Sequence, residues 1–392
     1  MEEKQSKETI FLIIGAGMAG LVLGLQLRRQ GLKVQIVERL KQQLRPVCGE
    51  YLSPQGVEYL NHLGLGHLLT PFERVDGMVI FSPSETQVST TFPLDKHGAA
   101  LNRQLFQEKL VAEYEKLGDP VLYGELVEAI ESEEDGYQVK TTSLVIKTQF
   151  LIGADGPQSK VAKLLNFQTG EQLHKKVALH CYLRPKKDFH HKGQMHILPG
   201  GQYIGLNPIS EDEINFSIVT TNIAIKEAGG VKELINYWIQ RRKELRNQFE
   251  LLTTEEIKTT SPITRSSLEI NKGHAVLIGD ASGFIDPLTG EGMTTAIKTA
   301  CILAEEIRKN QNTVLAFNNY ATRRKNDFRE KEKLNFAFQK IIRSRFASEL
   351  IAKALNLSVH LKNTFIGVVG NIFTPKEAIK VLFRCYFKRG IK

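Results

Sequence analysis

The sequence predicts an α/β protein of Rossmann type, with a β-rich domain inserted into it and a helical region at its carboxyl end. Three observations carry this. A short apolar run, Ile10 to Ile14, leads into the glycine-rich segment Gly15-Ala16-Gly17-Met18-Ala19-Gly20. An apolar-periodic stretch then closes at Gly31, and Lys33 to Val37 is apolar again, which reads as strand, helix, strand. A second buried strand, His274 to Ile278, returns the chain to that layer after residues 170 to 270, which alternate and turn often. From Asn312 the pattern is helical and basic. The expected division is 8–168 and 271–312 for the nucleotide-binding domain, 169–270 for the β-rich substrate domain, and 313–392 for the helical end.

Local signals place the remaining elements. Ser53 before Pro54 reads as an N-cap with proline at the first helical position, opening a helix through Leu63 that stops at Gly64. Asn102 opens another, to Leu117. Gly124 to Ile152 alternates around an Asp135-Gly136 turn and ends in the apolar Phe150-Leu151-Ile152. One helix is expected over Val231 to Gln248, and another over Met293 to Arg308. Thr374-Pro375-Lys376-Glu377 is a capping box. Beyond it Lys380, Arg384 and Lys388 fall four apart among Ile379, Val381, Leu382, Phe383, Tyr386 and Phe387. Such a helix either buries its apolar face in the protein or lies in a membrane interface with its cations toward lipid phosphates.

Composition narrows the classes. With 42% hydrophobic and 24% charged residues the chain is globular. Its net charge of +9 suits nucleic acid, an anionic membrane surface or small anions. No RNP-like motif, zinc-finger spacing or helix-turn-helix pattern occurs, so nucleic acid is set aside. Cys48, Cys181, Cys301 and Cys385 are scattered without a CxxC pair, against a zinc site or a disulfide framework, and a reducing cytoplasm is expected. The start, Met1 to Thr9, is polar, and no apolar run spans a bilayer, so membrane contact is expected to be peripheral. His190, His191 and His196 lack ligand spacing and read as a surface turn. No G-x-S-x-G is present.

A dinucleotide sets two phosphate charges against the protein, and a helix N-terminus offers unpaired N–H donors and a partial positive charge to meet them. Gly15 allows the turn, Gly17 the close backbone approach, and Gly20 the packing of helix on strand, with Ala19 between them. Glu38, eighteen residues past Gly20, ends the second strand where it can accept from a ribose hydroxyl, and Arg39 follows it as a further candidate contact. This motif does not separate FAD from NAD.

Two later segments do. Gly153-Ala154-Asp155-Gly156 follows an apolar strand, and Gly279-Asp280-Ala281 runs into Asp286-Pro287-Leu288-Thr289-Gly290-Glu291-Gly292-Met293. Together with the first motif they resemble the superfamily of FAD-dependent aromatic hydroxylases (FAD-binding monooxygenases) and geranylgeranyl reductases, over residues from about 8 to 310. The resemblance implies that Asp280 bonds the ribityl chain and that Gly290, Gly292 and Met293 bring a second helix N-terminus to the flavin edge. Asp155 and Gly156 join the cofactor site in that family, although an aspartate there also caps its own loop. Arg103 looks like the arginine that contacts FAD in relatives.

Arg45-Pro46-Val47-Cys48-Gly49-Glu50 lies where resembling proteins pass the chain beside the isoalloxazine ring. Cys48 and Gly49 then face the ring or the substrate, with simple packing as the alternative, and Arg45 meets a phosphate, a substrate anion or solvent. Cys48 and Pro287 are the candidate catalytic positions. The resemblance implies FAD, with NADH or NADPH as electron donor, and a lipophilic small-molecule substrate. Its chemistry is first hydroxylation of an apolar or aromatic molecule, with Pro287 lining the oxygen site, with reduction of prenyl-lipid double bonds as the alternative and a flavin-binding sensor or scaffold without turnover as the third reading. Gly283 and Asp286 are closer to the reductase version. The segment Gly201 to Pro208 echoes the reductases only loosely, and Trp238 stands alone, unlike the paired tryptophans of flavin halogenases.

Overall fold

The computed structural model describes residues 4–170, 176–186, 189, 191–253, 256–261, 263–265, 267–284, 286–378 and 380–381. Its first layer is an eight-stranded sheet running Asn271–Lys272, Ala275–Leu277, Leu144–Gly153, Gln5–Ile14, Val34–Glu38 and Leu122–Tyr123, with the hairpin Val127–Glu133 and Gly136–Thr141 attached to Leu144–Gly153. Gln5–Ile14 is parallel to both its neighbours. The central strands are buried on both faces over Phe11 to Ile14 and Leu151 to Gly153. Met18–Arg29 and Gly292–Lys309 pack on one another, and Thr313–Arg343 adds Phe317, Tyr320 and Phe328 to the same core. The first strand begins earlier than its apolar run because Gln5 to Thr9, although largely exposed, pair with Leu144 to Thr148.

The second layer is a seven-stranded sheet in the order Lys258–Thr260, Lys176–Leu183, Glu213–Thr221, Tyr203–Ser210, Lys192–Ile197, Gly77–Phe81 and Gln87–Thr91. Its last two strands come from within residues 8–168, so that segment is not confined to the nucleotide-binding domain. Gly77–Phe81 is buried along its whole length, and a short apolar run carries no period that would assign it to one sheet or another. One face of the sheet packs Leu179, Phe216 and Ile218 against Leu234, Ile235 and Trp238.

The single helix expected over Val231 to Gln248 is two, Val231–Arg241 and Lys243–Gln248. Arg242 breaks it with an extended backbone while its buried guanidinium donates to Ser82 O (2.9 Å) and Pro83 O (3.1 Å). A preceding helix, Asn222–Ala228, was not foreseen; Thr221 caps it and Gly229 ends it with φ +90°. His196 is not in a surface turn. It is fully buried on Lys192–Ile197 and stacked on Phe81 at 4.4 Å, while His191 is exposed beside Glu73 and His190 lies outside the described residues.

Ser53 and Asn102 cap their helices, Pro54–His62 and Arg103–Glu115, as expected. At the carboxyl end Arg345–Asn356 and Val359–Val369 lie over the second sheet, where Ala352 and Ile366 join Met78, Ile80 and Val88. The capping box forms, with Glu377 N donating to Thr374 Oγ1 (3.2 Å) and Thr374 N to Glu377 Oε2 (2.8 Å). Ile379 and the stripe from Leu382 through Arg384 to Lys388 lie outside the described residues. Among the described residues no helix is long and apolar enough to cross a membrane.

Candidate active site

The early glycine loop is built by close approach. A Cβ on Gly20 would lie 2.0 Å from Gly15 O, and one on Gly15, whose φ is +108°, would lie 2.5 Å from Ala154 O. Only glycine lets the helix Met18–Arg29 and the segment after Leu144–Gly153 meet the loop at these distances. Gly17 differs: no atom lies within 4 Å of its Cβ position, and as N-cap it brings no side-chain acceptor to the first N–H groups of the helix. Unpaired donors facing open space form a cradle for a phosphate pair. Glu38 is pinned beside it, Oε2 accepting from Ala16 N (2.9 Å) and Oε1 from Leu40 N (3.0 Å). Arg39 is exposed next to it.

The late motif meets the early one through small residues. Gly279 has φ +57°, and a Cβ there would lie 2.9 Å from the buried Ala19 Cβ; its N–H donates to Thr299 Oγ1 at 3.0 Å. Asp280 stands at the end of the short strand Ala275–Leu277, where burial lifts its carboxyl above the usual range and Arg103 and Arg324 oppose that shift. Gly290, with φ +66°, packs against Tyr51. Gly292 opens a helix to Lys309 with no side-chain cap and open space at its Cβ position, and Met293 is buried behind it. A second helix start without a side-chain cap thus belongs to a helix packed against Met18–Arg29 of the first motif. Pro287 is exposed on the loop between them.

That loop is held from the substrate sheet. Asp286 is buried between Lys176 Nζ (3.0 Å) and Tyr203 OH (2.5 Å), and its own Oδ1 also caps Leu288 N. Asn335 of the long helix donates to Asp286 O at 3.0 Å.

Glu50 is the other hub. It is fully buried with φ +51°, and its carboxylate accepts from Arg45 Nε (2.9 Å) and Nη2 (3.0 Å), Arg103 N (2.9 Å), Tyr182 OH (3.0 Å) and Asn215 Nδ2 (3.0 Å). Arg45, expected at a phosphate or a substrate anion, is instead saturated by Glu50 and by Glu213 (2.8 Å) and stacked on the Tyr182 ring at 3.6 Å. It joins the nucleotide-binding domain to the substrate sheet. Cys48 is half-buried against the first core; its Sγ receives Glu50 N (3.3 Å) and its carbonyl Asn215 Nδ2 (2.8 Å). Gly49 is exposed with open space around it. Beside Asn215, His180 is buried, and burial, helped by Arg45 and Lys258 and opposed by Glu50, pushes its imidazole down to about 4.

Asp155 does the local work its alternative described: Oδ2 accepts from Lys160 N (2.6 Å) and Val161 N (3.0 Å), capping the turn of helix that follows. Its Oδ1 is buried without a partner among the described residues, and Gly156 continues the turn with φ +79°. Burial raises the Asp155 carboxyl, against the hydrogen bonds that lower it. Sequence reasoning missed Tyr51, Tyr182, Asn215 and Arg324 as parts of this site. Arg324 is buried and donates to Gly283 O (3.1 Å); a lone arginine in a basic helix gave no signal.

Two glycine-led helix starts, an anchored acid at the end of the second strand and an aspartate at the end of the returning strand define a dinucleotide flavoprotein of the oxidoreductase class. The chain belongs to the FAD binding domain family, which matches residues 8–325. The cofactor of this domain is FAD, and the cradle at Gly17, the carboxylate of Glu38 and the open helix start at Gly292 fit it. Digeranylgeranylglycerophospholipid reductase 3 of Methanosphaera stadtmanae is 27% identical over 315 residues, 76% of each chain. Menaquinone reductase of Mycobacterium tuberculosis is 25% identical over 318 residues, 75% of each. Among solved structures, the flavin-dependent brominase Bmp2 superposes with a TM-score of 0.81 at 16% identity, covering 98% of this chain and all of that one, which shows the shared fold.

Proposed function

We propose that this chain reduces carbon–carbon double bonds of a prenyl-type lipid, drawing electrons from NADH or NADPH. The observation that carries the reading is a cavity with an almost wholly apolar wall. Ile80, Val88 and Met195 of the substrate sheet form one side and Phe338 and Ile342 of the long helix the other, while Leu288, next to Pro287 in the cofactor loop, reaches the same space. The cavity is small, about 80 Å³, and its wall, polar only at Ser82 and Ser348, suits the end of an unfunctionalised hydrocarbon chain. The two sequence relatives named above are reductases of digeranylgeranylglycerophospholipid and of menaquinone, which supports the same choice.

When bound, FAD supplies two-electron transfer between the nicotinamide and the acceptor. The residues supply position. Gly17 and Glu38 would hold the adenosine diphosphate end, and the helix start at Gly292 would offer its partial positive charge to the negative charge of the reduced cofactor. The Glu50 and Asp286 networks tie the substrate sheet to the nucleotide-binding layer and would hold it beside the bound cofactor. Cys48, packed against the first core with its Sγ taken by Glu50 N, and Pro287, exposed on the cofactor loop, are the candidate positions beside the reacting groups.

Hydroxylation is the second reading, favoured by the exposure of Pro287, which leaves the cofactor loop open to dissolved oxygen. Anaerobic incubation of the holoprotein with NADH or NADPH and a geranylgeranylated lipid separates the two. The expected product has gained two hydrogens per reduced bond. Turnover that requires oxygen and yields a hydroxylated product overturns the reductase reading, and flavin that never turns over with either donor overturns both.

A further inference from the structure

We propose that the outward face of Arg345–Asn356 and the start of Val359–Val369 is a docking surface for an anionic lipid bilayer. Phe346 (78% exposed), Leu350 (58%), Leu357 (86%), Val359 (65%) and Leu361 (37%) cluster within positions 346–361. On Arg345–Asn356, Phe346, Leu350 and, just past its end, Leu357 repeat at four and seven residues and share one stripe. Surface helices of globular proteins turn polar side chains to that face. The opposite face of the same helix, through Ile351 and Leu355, lines the apolar cavity described above. One helix is therefore apolar toward solvent and apolar toward the cavity, and it is the partition between them.

Charge identifies the occupant. Residues 343–363 carry Arg343, Arg345, Lys353 and Lys362 against a single acid, Glu349. Glu349 is turned away, accepting from Ser84 N (2.6 Å) and Thr86 Oγ1 (3.0 Å) in the turn between Gly77–Phe81 and Gln87–Thr91, and Arg345 likewise donates to Ser84 Oγ (3.1 Å), so Lys353 and Lys362 carry the charge of the face. An apolar stripe flanked by cations matches the boundary between acyl chains and anionic headgroups. A second copy of the chain fits less well, because a twofold contact sets the patch against itself and brings its cations together. The surface stands on its own observations; only its use, to pass a lipid chain into the cavity, rests on the proposed reaction.

The test is sedimentation of the FAD-loaded full chain with vesicles of phosphatidylcholine alone or mixed with phosphatidylglycerol. Binding should favour the anionic vesicles, and Leu350→Glu with Leu357→Glu should weaken it at least about tenfold while flavin content and thermal melting stay unchanged. A comparison variant, Lys380→Glu, Arg384→Glu and Lys388→Glu, should bind as the parent does. Three results overturn the proposal: undiminished binding of the Leu350/Leu357 variant, loss confined to the comparison variant, or a parent dimer that the Leu350/Leu357 variant dissociates with no vesicle binding in either. Reduction of a short, water-soluble prenyl alcohol is read separately. Its absence counts against the proposed reaction and leaves the vesicle result standing.

Discussion

Replacing Gly17 by alanine separates what holds the loop together from what holds the cofactor. Gly17 has φ −82° and ψ −176°, which any residue adopts, and its added methyl meets no protein atom within 4 Å. Folding of the apoprotein should therefore change by about 1 kcal/mol or less, the scale of a helix-cap substitution. The methyl nevertheless occupies the approach to the helix N–H groups. Losing one or two charge-assisted hydrogen bonds costs about 3 kcal/mol, roughly a hundredfold in the FAD dissociation constant. Gly20→Ala is the counterpart. Its Cβ would sit 2.0 Å from Gly15 O, backbone against backbone, so the loop must open, at about 3 kcal/mol of folding stability or more. Flavin fluorescence titration gives the affinities, and thermal melting of the apoproteins gives the stabilities. Gly17→Ala binding FAD as tightly as the parent, or Gly20→Ala melting with it, would refute the division of labour between the two glycines.

Other substitutions probe the remaining contacts. Glu50→Gln leaves Arg45 with Glu213 alone and turns an acceptor into a donor facing Tyr182 and Asn215; a loss of about 3 kcal/mol in urea unfolding is expected, and an unchanged midpoint would contradict the role of the hub. His180 is held neutral, its value depressed from 6.5 to about 4, so its contribution is complete above the unfolded value and is lost as pH falls toward the folded one. Between about pH 7.5 and pH 5 the parent should lose about 2 kcal/mol that His180→Gln does not, and parallel pH profiles for the two proteins would exclude this cause. Asp280→Ala should purify with little or no yellow colour; full flavin content removes Asp280 from the site. Ile351→Trp narrows the apolar cavity and should raise KM for a long-chain lipid at least about tenfold with reduction of the flavin by NAD(P)H unaltered. Equal KM values would mean that the substrate does not enter there.

Much of the nucleotide-binding half was legible because its constraints are local. A glycine forced by a positive φ or a 2 Å approach leaves its mark in sequence, as Gly15, Gly20, Gly279 and Gly290 do, and so do the caps Ser53, Asn102 and Thr374. What failed to show depends on distant partners. In sequence Arg45 is open between a phosphate, a substrate anion and solvent, because Glu213 and Tyr182, which hold it, lie far along the chain. His196 reads as polar surface beside His190 and His191, and only its place against Phe81 makes it core. Gly77–Phe81 has no period to betray which sheet receives it, and the break at Arg242 is made by carbonyls of residues 82 and 83.

The pairing of Lys192–Ile197 with Gly77–Phe81 has a practical consequence for engineering. A chimera that transplants only the long insertion from a relative would keep a neighbour for the recipient's two borrowed strands but set Met78, Ile80 and Val88 against core partners they were not fitted to. Exchange of substrate preference between relatives should succeed when both stretches, around 77–91 and 176–260, travel together, and should give destabilised protein when either moves alone.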